Sequence, residues 1–396
     1  MGSWEAEMDI EAERETRKRP REAEEAEEPA TAAAPEPATA GAPEPYTAAP
    51  TDPIAAAALR LIAHARQFAT ETSEYYKHVL ANPLTNDQVR EQEEKIHSES
   101  WERFRENFDW ADENNPFESL SKIPCMRFTH EDFRRPNYPH TLITEDTLQI
   151  ISIQVKEISG GLEWPLDVYG IVAVRDVQDR RRIMVFNRER DDYQRINEED
   201  SYLTLTGPTR GVVMTVDPSY LEVLLKVRGG ATESEDKYLS KFARQYSLGC
   251  FKPIKYTSKL CTVEMQYYTV EDAVEATISV RVAEGQWPRG FRGVLTASTN
   301  CHSDLEISLL ELKDDVLPMD DDGLIKLSRR VVCVGRGRKL HVSVLQPGVG
   351  EEEEDQVSAV TSFIAAEAKT STSLMPMKTC SCSLEVTVAW SLFSVW

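Results

Sequence analysis

No run of about 18 apolar residues occurs anywhere in the chain, so nothing in it reads as a membrane-crossing helix. Basic residues are few, 45 Lys and Arg against 67 Asp and Glu, which gives a net charge of −22. No basic stripe gathers them, and an acidic surface repels phosphate backbones, so general nucleic-acid or anionic-membrane binding is not expected. Cysteine is scarce and odd in number, at 125, 250, 261, 301, 333, 380 and 382, and no apolar signal region opens the sequence. Reduced thiols in a cytoplasmic or nuclear protein are the simplest expectation. A myristoylation signal is also missing, because Ala6 stands where Ser or Thr is needed.

What is present is unevenly distributed. Hydrophobic content of 41% over 396 residues suffices for two domain-sized units. Residues 1–52 hold 14 acidic and 5 basic side chains among Ala, Pro and Thr, too few large apolar groups to offset ordering entropy, which predicts a disordered acidic tail. Within it, Arg17-Lys18-Arg19-Pro20-Arg21 has the form of a short nuclear import signal. A helical hairpin is predicted over residues 53–110. Its first helix starts at Asp52-Pro53, carries apolar residues from Ile54 to Val79 every three or four positions, and stops at Asn82-Pro83. The second starts with a Thr85/Gln88 capping box and has a sparse stripe of Val89, Ile96, Phe104 and Phe108. Residues 111–144, rich in proline, read as an irregular connector.

From Thr147 the period becomes two, and two stretches repeat one another in order. Ile153, Val155, Gly160, Trp164-Pro165, Gly170 and Val174, then Leu205, Arg210, Val212, Leu221, Val223 and Leu225, match Ile278, Val280, Gly285, Trp287-Pro288, Gly293 and Ala297, then Leu327, Arg329, Val331, Leu340, Val342 and Val344. Short strands with hairpin-length joins predict a mainly β fold, a duplicated antiparallel sandwich-like unit over about 145–245 and 255–395. One crossing helix is expected at Ser234–Tyr246, from the spacing of Tyr238, Phe242 and Tyr246. Glu351 to Asp355 read as a mobile acidic loop between strands.

Five segments carry a family resemblance: Trp164-Pro165-Leu166-Asp167-Val168-Tyr169-Gly170, Leu205-Thr206-Gly207-Pro208-Thr209-Arg210, Trp287-Pro288-Arg289-Gly290-Phe291-Arg292-Gly293, Leu327-Ser328-Arg329-Arg330-Val331-Val332 and Val386-Thr387-Val388-Ala389-Trp390-Ser391-Leu392. Together they resemble the large grass family of the domain of unknown function 6598, over roughly residues 145–395, with a similar lead-in at Trp101–Phe128. The resemblance implies a plant protein with a β-rich domain and supplies no mechanism. Where the family pattern has Asn-Cys, this chain has Asp192-Tyr193, so a role for that cysteine is lost.

Most chemistry-bearing clusters have a structural explanation. Trp164-Pro165 and Trp287-Pro288 would cover sandwich ends, Gly170 and Gly293 would admit a bulge or a packed ring, and Trp390 would lie in the closing strand. Gly335-Arg336-Gly337-Arg338-Lys339 reads as a hairpin with a basic tip. Asp314, Asp315 and Asp320-Asp321-Asp322-Gly323 fail the EF-hand pattern, since Pro318 takes the first ligand place and Arg329 the last. Cys380 and Cys382, on one face of the last strand, are too close for a zinc knuckle. Cys301-His302-Ser303-Asp304 sits in one turn, where adjacent side chains point apart, and His130 and His140 flank the connector. Ribosome-inactivating N-glycosidases, described beside this family, would need a helix-borne Glu and Arg; Glu102/Arg105, Glu131/Arg134 and Glu11/Arg14 each lack part of that setting. The expectation is a non-catalytic protein that presents β loops or an edge to a protein partner, with no cofactor and no catalytic or metal residue assigned. Its rivals are a defence-related hydrolase, or a carbohydrate- or lipid-binding module built on an aromatic shelf around Trp287.

Overall fold

Alternating burial along residues 145–394 builds antiparallel sheets, and the strand residues that face inward are almost all Val, Ile, Leu, Phe or Ala. The computed structural model describes residues 84–106, 108, 116–136, 138–246, 253–299, 305–312, 317–346 and 356–394. The acidic tail, the first predicted helix, the Cys301 cluster, Asp314-Asp315 and the Glu351–Asp355 run lie outside them.

One helix, α1 (Asn86–Glu106), comes first. Its start is the predicted capping box: the Gln88 amide N–H donates to Thr85 Oγ1 at 3.3 Å, and the Thr85 N–H donates to Gln88 Oε1 at 2.9 Å. The predicted stripe is reversed in its first half. Val89 and Ile96 are exposed, while His97 and Trp101 are buried against the sheet. Then follow β1 (Leu142–Ile143), β2 (Glu145–Lys156), β3 (Leu166–Arg175), β4 (Ile183–Arg188), β5 (Gln194–Ile196), β6 (Val212–Val213), β7 (Ser219–Val227), β8 (Lys237–Tyr246) and β9 (Ile254–Thr257). The second half has β10 (Thr262–Glu284), β11 (Gly293–Thr299), β12 (Ile307–Leu312), β13 (Val331–Gly335), β14 (Lys339–Gln346), β15 (Gln356–Ile364), β16 (Lys369–Pro376), β17 (Ser383–Ser391) and β18 (Phe393–Ser394).

Three main sheets form. A seven-stranded sheet runs β16-β17-β10-β2-β6, with β9 and β13 also paired to β10; a five-stranded sheet runs β4-β3-β7-β8 with β5 on β3; a four-stranded sheet runs β12-β11-β14-β15. The five-stranded sheet covers one part of the large sheet over a core that includes Phe186, Val223 and Phe242, and the four-stranded sheet covers the other over Leu295, Val342 and Trp390. The change of core falls between Tyr267 and Tyr268, inside β10, later than the expected gap at 245–255. β10 pairs with β2 up to Val270 and again at Ala273; it pairs with β13 from Ala273 and with β17 from Glu275. A register shift marks the handover, and Asp272 there has φ 49°, a left-handed conformation that Asp tolerates better than most residues.

Two expectations are corrected. Residues 237–246 form the strand β8, not a helix, because Phe242 and Tyr246 face the core through a strand paired to β7. The basic tip at 335–339 is a tight turn between sheets and not a hairpin, since β13 pairs with β10 whereas β14 pairs with β11 and β15.

Candidate functional site: a cationic recess over a buried ion network

The segment Leu205 to Arg210 sets one arginine into the interior. The N–H groups of Thr206 and Gly207 both donate to Val185 O, at 2.9 and 3.0 Å, and a Cβ on Gly207 would overlap Met184 O, so only glycine allows this approach. Trp164-Pro165 and Gly207-Pro208 are cis peptides. Arg210 then meets Asp176, at the end of β3, in a buried two-pronged pair: Nη1 to Oδ2 at 2.6 Å and Nη2 to Oδ1 at 2.8 Å. Asp176 also accepts the N–H groups of Gln178 and Val213. Burial pulls the Arg210 guanidinium downward, but Asp176, with Asp179 and Glu275, outweighs it and holds the group above its ordinary value. Arg210 Nε donates to Ser121 Oγ at 3.1 Å, and that hydroxyl donates to Asp179 at 2.7 Å. Glu275, on β10, accepts the N–H groups of Gly211 and Met126, both at 2.7 Å; burial pushes its carboxyl upward against those bonds.

A second buried cluster fixes the segment before Ser121. Glu222 of β7 takes Arg175 (3.0 Å) and Arg182 together, and Arg175 lies over the rings of Phe117 (4.3 Å) and Phe108 (4.7 Å). Arg175 Nη2 donates to Phe117 O at 2.6 Å, while Ser119 and Ser121 exchange backbone bonds with Arg182. Phe104 of α1 completes this aromatic group with Trp101.

Over the Arg210 network lies an open surface recess of about 550 Å³, lined by Lys122, Ile123, Pro124 and Arg127 of the connector and Gln178, Asp179 and Arg181 of the β3–β4 turn. Its rim is cationic on a chain of net charge −22, and Arg127 stacks over Phe128 at 4.8 Å. The charges beneath are engaged with one another or with backbone. Sequence reasoning missed Asp176, Glu222 and Glu275. The available signal was a carboxylate inside an apolar strand run, as in Leu221-Glu222-Val223 and Val274-Glu275-Ala276.

The residues singled out beforehand fall mostly into packing. Trp164 is half-buried against the first core, and Trp287 is half-buried against the second, its ring meeting Phe291 edge-on at 4.9 Å, so it does not form an exposed shelf. Pro165 is exposed and Pro288 half-buried beside them. A Cβ on Gly170 would overlap Leu224 O, and one on Gly293 would overlap Leu345 O; each glycine lets a neighbouring strand close in. Trp390 is fully buried and donates to Ser371 Oγ at 3.1 Å. Asp320 spends its carboxylate on the N–H groups of Asp322 and Leu324, and no group of three or more His, Cys, Asp or Glu side chains is placed for a metal among the described residues. Cys380 and Cys382 lie in the bend before β17, not on it; burial, then the neighbouring Cys380, pushes the Cys382 thiol up. Arg336 of the basic turn is paired with Asp272 at 3.1 Å. Glu102 accepts from Lys241 at 2.6 Å while Arg105 turns to Glu118 at 3.5 Å, so the two do not converge. Arg134 pairs with Glu367 at 3.2 Å beside exposed His130, and His140 packs on Phe128.

Taken together, two antiparallel β sandwiches on one shared sheet, with locked internal charges, define a β-rich protein organised around packing. The model of the domain of unknown function DUF6598 matches residues 147–388, more than half of the chain, and the chain belongs to that family. No curated protein matches it. Among solved structures it is similar to human GIVD cytosolic phospholipase A2, at 9% identity over 63% of this chain and 33% of that one, with a TM-score of 0.20. It is also similar to the paired C2 domains of extended-synaptotagmin 2, at 8% identity over 66% of this chain and 96% of that one, with a TM-score of 0.23. Likenesses this slight carry no argument. No helix among the described residues is long and apolar enough to cross a membrane.

Proposed function

We propose that the protein is a non-catalytic binding module whose recess at Lys122, Arg127 and Arg181 receives an acidic segment of a protein partner. The observation that carries this reading is the setting of the recess: Lys122 and Arg127 border it on an acidic chain, beside Arg210, Asp176, Asp179 and Glu275, whose charges are occupied by each other and by backbone N–H groups. A cationic patch on an acidic chain also speeds encounter with an oppositely charged surface. The family motifs support a grass origin, and five free cysteines among the described residues support a reducing cytoplasmic or nuclear setting.

The test is binding of a poly-glutamate peptide to the full-length chain by fluorescence anisotropy at two salt concentrations. Binding that weakens with salt and drops about tenfold or more in a Lys122→Glu/Arg127→Glu double variant supports the reading. Equal binding by the double variant removes the recess from the function.

A further inference from the structure

The bend between β16 and β17 concentrates sulfur. Met375-Pro376-Met377-Lys378-Thr379-Cys380-Ser381-Cys382 brings four sulfur-bearing side chains into one short stretch. The ladder decides which of them share a face. β16 and β17 pair as Met375↔Leu384 and Pro376↔Ser383, and the Met377 N–H, donating to Cys382 O at 3.0 Å, carries the same register one step further. Residues directly opposite in an antiparallel pair send their side chains to the same side, with Cβ atoms about 4.5–5.5 Å apart. Met377 and Cys382, at 5% and 2% exposure, are accordingly both buried in the second core, and Met375 is buried there completely.

Cys380 sits in the intervening bend, half-buried against the same core and near enough to the Cys382 thiol to oppose its ionisation. Both thiols are free. The end of one hairpin therefore holds two neighbouring thiols with a thioether across the ladder, and one of the thiols reaches solvent. Packing alone accounts for Met375, since methionine fills irregular gaps in a core. It does not account for a second, part-exposed thiol beside the first, in a bend where polar residues are the rule.

We propose that Cys380, Cys382 and Met377 form a binding site for one copper(I) ion, with two thiolates and one thioether as its ligands. The donor set selects the metal. Thiolate and thioether sulfur are soft ligands that favour copper(I), an ion content with a low coordination number. Structural zinc and iron–sulfur clusters need four Cys or His ligands, and no group of three or more His, Cys, Asp or Glu side chains gathers among the described residues. Calcium and magnesium require oxygen donors. Binding releases the two thiol protons to solvent, forms one copper–sulfur bond per ligand and changes no oxidation state. Cys380, at the surface, is where the ion enters.

The experiment titrates the fully reduced full-length chain with copper(I) under nitrogen, in competition with bicinchoninate, and reads the ligands of the bound metal by X-ray absorption. The expected result is one copper per chain in an all-sulfur shell. Affinity should fall about tenfold or more in Cys380→Ser, and about threefold, with one sulfur neighbour fewer, in Met377→Leu. Cys380 is half-buried and leucine is close to methionine in volume, so both variants should fold, with circular dichroism as the check. Should the serine variant fail, Met377→Leu decides. Copper held equally well by Cys380→Ser would belong to other cysteines, and an unchanged shell in Met377→Leu would remove the thioether. No uptake by a chain whose thiols are all reduced would leave packing as the role of this sulfur, and zinc(II) bound as tightly as copper(I) would deny the selectivity. Each of these four results overturns the assignment.

Discussion

Each half of the β region buries one arginine from a matching motif, and the two are kept in opposite ways. Arg210 is locked to Asp176 and held above its ordinary pKa, whereas Arg329 is fully buried with only the carbonyl oxygens of Ile150 and Ile151 as hydrogen-bond acceptors, and its Nε has none. Burial brings the Arg329 guanidinium down to about 10, with Tyr268 and Cys333 opposing. The cause is legible along the strands. Six residues beyond Gly170 the first half has Asp176; six beyond Gly293 the second has Thr299, whose hydroxyl lies 3.5 Å from the Tyr268 hydroxyl. The motif arginine therefore does not require its own carboxylate. In both halves it serves the junction: Arg329 reaches the backbone of β2 in the first half, and the residue after Arg210 reaches Glu275 in the second.

That comparison can be broken most forcefully at Asp176. Asp176→Asn removes the two-pronged partner of buried Arg210, leaving Asp179 on Nη2 alone, and should cost about 3–5 kcal/mol in urea unfolding. A loss below about 1 kcal/mol would mean that Asp179 suffices as the counter-ion. Acid distinguishes the halves next, because His97 belongs only to the helix docked on the first. Its native pKa near 4 lies below the ordinary 6.5, so the unfolded chain takes a proton that the native state refuses. The stability this represents is present above pH 6.5 and is lost as pH falls toward 4, on the order of 3 kcal/mol, and His97→Phe should flatten that part of the stability–pH curve. Arg329→Met should cost less, about 1–2 kcal/mol, because it abandons two carbonyl contacts and strands no counter-ion. A loss as large as that of Asp176→Asn would reveal a counter-ion for Arg329. Smallest are the exposed cross-strand pairs, Arg195–Asp167 in one half and Arg281–Glu385 in the other, each at 2.7 or 2.6 Å. Alanine at either arginine should change the melting free energy by under about 1 kcal/mol, equally in both halves.

The β class, the capping box at Thr85 and the closing strand that carries Trp390 were open to reading because local chemistry decides them: period-two apolar runs and a Thr/Gln pair at the right spacing. The β8 strand was not, because Tyr238, Phe242 and Tyr246 stand four apart, a spacing that suits one face of a helix and one face of a strand alike. A register shift at Leu225/Lys226 adds to the ambiguity, with Tyr238 exposed while the other two are buried. Val89 and Ile96 misled for a related reason: the apolar stripe fixes a helix but not which side a sheet with Ser240 and Arg244 will accept. The recess was hidden because its lining joins Lys122 and Arg127 of the connector to Gln178 and Asp179 of the β3–β4 turn, which no local pattern connects.

A 23-residue strand contributes to both hydrophobic cores, so no seam falls between the two sandwiches. Cutting the chain between them would strip one fragment of the middle of its sheet and leave the other with a long bare edge, the condition that invites aggregation.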